Sequence, residues 1–172
     1  MEADTGEVRA LVSLPDFDPN DRPVAISGYA GDHPTFNRAA QGVYELGSVF
    51  KTFTVAMMLE AGLASPETMV DTTGPLFWGR HRIRDFHRMP PRMSLTEVLV
   101  KSSNTGTARL ALLAGASRQR AFLGELGLLE ATGIELSEAA GGRPLTPERW
   151  SEISVMTISY GHGLSATPLH LA

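Results

Sequence analysis

The sequence has no cysteine. That excludes thiol nucleophiles, disulfides and cysteine-based metal centres, and it leaves the redox compartment open. Lysine is almost as scarce, with Lys51 and Lys101 standing against thirteen arginines. There is no positive excess. Fifteen Lys and Arg against nineteen Asp and Glu give a formal charge of −4, the wrong sign for the basic footprint of a nucleic-acid binder. Long apolar runs are missing too: no stretch reaches membrane-spanning length, and Met1-Glu-Ala-Asp does not have the form of a signal peptide. No Gly-rich phosphate loop occurs. What is present is a chain of 172 residues, 42% apolar and 20% charged, which reads as globular and large enough for one domain with a core.

Residues 7–14 alternate as a strand, with Val8, Ala10, Val12 and Leu14 on one face. Residues 15–23 are a Pro/Asp/Asn loop, and 24–42 are irregular, punctuated by Gly28, Gly31 and Gly42. Residues 48–61 read as a helix apolar nearly all round, closed by Gly62. A hairpin is expected near GRHRIRDFH. Ser94 and Glu97 make a capping box for a short helix over 95–101, which Asn104-Thr-Gly breaks. Further helices are expected over 107–114, from a Ser117 cap to Leu126 before Gly127, and from Thr146-Pro147 to Tyr160. Thr167 and Pro168 announce one more helix as the chain stops. One clear strand among helices cannot stand alone, and both ends read as the boundaries of a fragment.

The informative position is Lys51, in GSVFKTF. Ser48 and Lys51 stand at i and i+3, on one face of the expected helix. Ser48 sits at the helix start, where unpaired N–H groups and the dipole favour developing negative charge. Apolar neighbours disfavour the Lys51 ammonium and lower its pKa. A neutral amine can take the serine proton, whereas an arginine cannot. Taken alone the spacing is weak, because thirteen serines and two lysines produce about 0.15 such matches by chance. The plain alternative is a lysine that snorkels to the surface. A second cluster, Ser102-Ser103-Asn104, follows a capped helix. Ser102 could relay a proton there, and Asn104 could hold a substrate amide or the lysine. Ordinary helix capping is the competing explanation.

S-x-x-K followed by S-x-N is the motif pair of serine β-lactamases and penicillin-binding proteins. Here it stands as Ser48-Val49-Phe50-Lys51 and Ser102-Ser103-Asn104. FNRAAQGVYELGSVFKTFTVAMMLEAG resembles the nucleophile segment of class B penicillin-binding proteins. TGEVRALVSLPDFDPN resembles the opening strand and loop of their transpeptidase domain, and MTISYGHGLSATPLHLA the stretch before their third motif. The likeness runs along nearly the whole chain and is greatest to the septal, cell-division peptidoglycan D,D-transpeptidases. It implies an α+β penicillin-binding protein/serine β-lactamase-like fold, truncated to the helical part plus one main sheet strand. Residues 1–172 would be a partial transpeptidase domain. Leu46 stands where many relatives have proline, and the Lys-Thr/Ser-Gly motif does not occur. The resemblance implies Ser48 as nucleophile on D-Ala-D-Ala stem peptides, Lys51 as general base, Ser102 as proton relay and Asn104 as substrate holder. β-Lactams would acylate Ser48. No cofactor or metal is implied. Implied partners are peptidoglycan stem peptides, β-lactam antibiotics and cell-division proteins, with no nucleic acid. The implied location is the periplasmic face of the inner membrane, tethered by a segment absent here, with this fragment itself soluble. Without the third motif and its second oxyanion N–H, the 172 residues alone are expected to be nearly inactive.

Rival functions are a D,D-carboxypeptidase or β-lactamase, in which water replaces the acceptor amine, and a non-catalytic interaction module using the basic stretch 80–92. His81, Asp85 and His87 invite a metal reading, but the arginines around them repel cations. Arg80, Arg82 and Arg84 would share one strand face, either as a solvated edge or as a contact surface for a partner or an acidic part of the glycan. A Ser-His-Asp hydrolase using His162 lacks the G-x-S-x-G elbow, because Glu45 and Phe50 occupy the glycine positions.

Overall fold

The computed structural model describes residues 1–24 and 31–172. Gly28, one of the expected punctuating glycines, lies outside the described residues. The chain divides into two units. One comprises Met1–Tyr44, Gly127–Leu145 and Ala166–Ala172, and the other Glu45–Leu126 and Thr146–Ser165. The two-residue strands β1 (Tyr44–Glu45) and β6 (Ser165–Ala166) lie where the chain passes from one unit to the other.

The second unit holds most of the regular structure. A 3-10 turn at Gly47–Phe50 runs into α1, Lys51–Glu60. Gly62, at φ +63°, closes α1: its N–H reaches Leu59 O, and the Leu63 N–H reaches Met58 O. This is a Schellman ending with glycine where a left-handed residue is needed. The face of α1 carrying Thr52, Ala56 and Leu59 is open to solvent, so the apolar pattern overstated its burial. Strand β2 (Met69–Asp71) pairs antiparallel with β5 (Arg92–Ser94), with Val70 opposite Met93. Strands β3 (Leu76–Trp78) and β4 (His81–Ile83) form the expected hairpin, with Phe77 opposite Arg82.

Ser94 caps α2, Leu95–Val100, through the expected capping box with Glu97. Ser103 Oγ then accepts from the Gly106 N–H and caps α3, Asn104–Ala114. The Asn104-Thr-Gly run therefore opens a helix and breaks none. The break lies at 101–103, and α3 begins three residues earlier than the pattern suggested. Helix α3 is the centre of the unit, packed by α1, α2, β2, α4 (Ala116–Glu125) and α5 (Glu152–Ser159). Val55, Met57, Met58, Val70, Met93, Leu95, Val98 and Leu110 form one buried cluster. Ile83, Ala108 and Met156 form another. Gly115, not Ser117, precedes α4, and Gly127 at φ +74° follows it. Helix α5 starts at Glu152 with Ser151 as its cap, not at Thr146-Pro147. One reason is distant and one local: Trp150 Nε1 donates to buried Gln119 at 2.9 Å, and Ser154 Oγ donates to Arg149 O. Those bonds hold 149–151 outside the helix.

The first unit is mostly turns. Arg38 donates to Gly31 O at 2.6 Å, and Asn37 Nδ2 donates to Glu138 Oε1 at 3.2 Å. Glu138 lies in a 3-10 turn at Ser137–Gly141. Thr167 caps α6, Pro168–Leu171, with Pro168 at its first position as expected, and the His170 side chain completes a capping box. The strand expected over 7–14 is not formed. Among the described residues no segment pairs with it, and Val12 is 75% exposed. Alternation sets up a strand, but only a ladder partner completes one.

Candidate active site

Four segments of the second unit supply the site. The segment that carries Ser48 is held by the turn at 160–163. The Gly47 N–H donates to Gly161 O at 3.1 Å, and the Gly163 N–H donates to Glu45 Oε1 at 2.7 Å. A Cβ at Gly161 would overlap the Gly47 carbonyl, and Gly161 sits at φ +87°. Only glycine fits there, on both counts. With Gly47 so engaged, Ser48 stands exposed at the next position of a 3-10 turn, whose first N–H groups have no acceptor within the turn.

Lys51 is buried, 1% exposed. Its Nζ lies 3.1 Å from Ser48 Oγ, 2.7 Å from Ser102 Oγ and 2.7 Å from Ser102 O. Ser102 Oγ lies 3.0 Å from Ser48 Oγ. Three polar atoms thus close a triangle. Burial pushes the Lys51 amine down to about 8, against a smaller upward pull from the Asp85 charge. The surface alternative for this side chain is not what forms.

Ser102 is the only non-glycine residue at positive φ among the described residues, at φ 58°. Its N–H donates to Leu99 O, and the Ser103 N–H donates to Val98 O. This repeats the Schellman ending of α1, with serine in the place of Gly62. The left-handed conformation costs a non-glycine residue on the order of 1 kcal/mol. It also turns both the hydroxyl and the carbonyl of one residue onto Nζ. The tight end of α2 is therefore what delivers Ser102.

Asp85 builds the far side. Its carboxylate accepts from the Asn104 N–H, from the Thr105 N–H at 3.0 Å, from Thr105 Oγ1 at 2.6 Å and from Ser103 Oγ at 3.2 Å. A carboxylate at the first turn of α3 also meets the positive end of its dipole. The sequence offered Asp85 only as a metal ligand beside His81 and His87. Its position as anchor of the 102–105 turn went unread, because nothing in a sequence pairs residue 85 with 104. Asn104, half-buried at the start of α3, donates Nδ2 to Arg84 O at 3.0 Å. Among the described residues it makes no hydrogen bond to Lys51. Three of the four expected site residues therefore form one hydrogen-bonded cluster, and the fourth is tied to the hairpin beside it. His162 is exposed and packs by Tyr160, with ring centroids 5.4 Å apart, and among the described residues it makes no hydrogen bond to Ser48.

A buried lysine within hydrogen-bond reach of two serines, one exposed in the 3-10 turn before α1 and one at the end of α2, is an arrangement in which an amine can exchange a proton with either hydroxyl. The family model "Penicillin binding protein transpeptidase domain" matches residues 1–172, and the chain belongs to that family. It is 42% identical over 168 residues to a protein from Caulobacter vibrioides named "Probable peptidoglycan D,D-transpeptidase FtsI", covering 98% of this chain and 27% of that protein. It is 34% identical over 172 residues to the Escherichia coli K12 "Peptidoglycan D,D-transpeptidase FtsI", covering 100% of this chain and 28% of that one. The chain thus spans little more than a quarter of the length of these curated relatives. Among solved structures, the transpeptidase domain of Burkholderia pseudomallei penicillin-binding protein 3 superposes with a TM-score of 0.71 at 30% identity, over 78% of this chain and 41% of that one. A Burkholderia ambifaria protein described as a peptidoglycan glycosyltransferase gives 0.74 at 33% identity, over 81% and 44%. The expected mixed helix-and-sheet transpeptidase fold is the fold observed, without the strand over 7–14. Among the described residues, no helix is long and apolar enough to cross a membrane.

Proposed function

We propose that residues 1–172 carry the acylating half of a serine D,D-transpeptidase that crosslinks peptidoglycan during septal wall synthesis. The whole protein would work at the periplasmic face of the inner membrane. The observation that carries this reading is Lys51 Nζ lying within hydrogen-bond reach of both Ser48 Oγ and Ser102 Oγ while buried.

In this reading Ser48 Oγ attacks the carbonyl of the D-Ala-D-Ala bond as its proton passes to the neutral Lys51 amine. Ser102 hands a proton on to the departing D-alanine amine. Asn104 orients the substrate amide. An ester on Ser48 results, and the amine of a second stem peptide attacks it, restores the serine and leaves the crosslink. A β-lactam ring enters the first half and stops at the ester. The free N–H of Ser48 offers one donor to the oxyanion. The Lys-Thr/Ser-Gly motif does not occur in these residues, and the second donor associated with it is worth about 2.7–4 kcal/mol in related chemistry. The isolated 172 residues would therefore acylate some hundredfold or more slowly than the full-length protein.

The test is labelling by a fluorescent penicillin. The full-length protein labels rapidly, residues 1–172 label slowly, and Ser48→Ala labels in neither. Labelling that survives Ser48→Ala refutes the assignment. Product analysis with and without an acceptor amine separates transpeptidation from hydrolysis: release of free acid regardless of acceptor identifies a carboxypeptidase.

A further inference from the structure

The β3–β4 hairpin and the segment after it carry a charge that the serine cluster does not use. Arg80, Arg82, Arg84 and Arg88 are all exposed. None joins an ion pair among the described residues, and residues 25–30 contain no acid that could supply one. Arg92 is different, because it stands opposite Asp71 across the β2–β5 ladder. Asp85, the one acid within 80–92, is turned inward onto Ser103, Asn104 and Thr105. A chain of net charge −4 therefore presents four unpaired guanidinium groups on one stretch.

Exposed aromatic rings accompany them. Phe77 is 64% exposed, Phe86 93% and Trp78 37%. Arg82 lies over the Phe77 ring at 6.0 Å. A solvated edge protected by charge needs arginines but gains nothing from bare phenylalanines. Arginine interleaved with aromatics is the composition of a binding surface. This surface also joins the serine cluster physically, since Arg84 O holds the Asn104 amide and Asp85 holds the Asn104 backbone. From there the arginines continue along the hairpin, with Arg84 just past β4, Arg82 within it and Arg80 in the turn that opens it.

We propose that this face binds carboxylate-bearing stretches of the polymeric substrate outside the reacting bond, with the arginines pairing to side-chain carboxylates and the rings packing on sugar or peptide. The proposal rests on the transpeptidase reading and adds to it a subsite for the uncrosslinked polymer. Contiguity with Asn104 favours the polymer over an acidic segment of a protein partner, which has no reason to abut the site.

The experiment uses the full-length protein with Arg80, Arg82 and Arg88 all changed to Gln. Arg84 stays, because it is the arginine nearest the site: its backbone bonds Asn104 and it adjoins Asp85, so a change there would confound the readout. The probes are soluble uncrosslinked peptidoglycan strands and the same strands with their carboxylates amidated. Exposed pairs are individually weak and salt-screened, so the triple variant should raise KM for native strands roughly tenfold at low salt. The gap should close in high salt and vanish with amidated strands, and kcat should hold. Acylation by a small penicillin, which does not reach the hairpin, should be unchanged, and that result also certifies the fold. An unaltered KM for native strands overturns the proposal. So does a variant that keeps this KM but loses crosslinking in cells, which would assign the face to a protein partner. A parent that no penicillin acylates sinks the transpeptidase reading instead, and is recognisable as such.

Discussion

Raising the pH should switch the Lys51 amine on within a range that an ordinary lysine never reaches. Burial lowers its pKa from 10.5 to about 8. At pH 7 roughly one molecule in ten then holds the neutral amine, against about one in 3,000 at the unperturbed value. The gain in available base is about 300-fold, of which the protein has only to supply burial. The assay is the second-order rate of acylation by a fluorescent penicillin in the full-length protein, followed from pH 6 to 9.5. The logarithm of the rate should climb with unit slope up to about pH 8 and level above it. Lys51→Arg keeps a cation in place but cannot release a proton in this range, so it should show no such limb and almost no acylation. A profile flat from pH 6 to 9, one still rising with unit slope at pH 9.5, or Lys51→Arg acylating at the parent rate would refute the reasoning.

The same shift has a stability consequence. The folded pKa lies below the unfolded one, so between about pH 8 and 10.5 the unfolded chain binds the extra proton, and stability should rise with pH across that window by up to about 3 kcal/mol. Denaturant titrations should find this rise missing in Lys51→Met. Gly161→Ala should cost about 2–3 kcal/mol and slow acylation, because its Cβ meets the Gly47 carbonyl. Gly62→Ala, also at positive φ but with open space around it, should cost only about 1 kcal/mol, and equal midpoints for the two would contradict the contact. Asp85→Ala should destabilise by about 3 kcal/mol, since it strips acceptors from the buried start of α3. Asp85→Asn, which removes the charge that raises Lys51, should move the acylation inflection below that of the parent. An inflection that stays put or climbs would count against that coupling.

What the sequence disclosed was whatever is encoded over a few residues. Ser94 with Glu97, Thr167 with Pro168, and Gly62 after an apolar run each name a helix end within one turn of chain, and each formed. Ser48 and Lys51 are readable because i and i+3 meet on any helix. What escaped was set by partners far along the chain. Thr146-Pro147 is a sound local helix start, yet Trp150 is drawn to Gln119 and α5 begins at Glu152. Among the described residues the 7–14 alternation has no ladder partner, and a strand without one is only an extended segment. Asp85 carries no signal at all until residues 103–105 are beside it.

Ser102 shows why the site is harder to read than the fold. A left-handed helix ending predicts glycine, and Gly62 obeys that rule where nothing further is asked of the residue. At the end of α2 the same backbone geometry is kept with a serine. Glycine would relieve the strain but would remove the hydroxyl 2.7 Å from Nζ. An ammonium carries three N–H donors, and Nζ faces three oxygens: Ser48 Oγ, Ser102 Oγ and Ser102 O. Loss of one proton leaves two donors and a lone pair, so one contact must reverse. The carbonyl cannot donate, which confines the reversal to the two hydroxyls. Ser48 is the exposed one of the pair at the helix start, and Ser102 is 3.0 Å from it. Whichever hydroxyl gives its proton first, the deficit ends on Ser48 Oγ, either directly or through Ser102. In the proposed mechanism the strained serine therefore gives the Ser48 proton two routes to the same amine, one direct and one through Ser102.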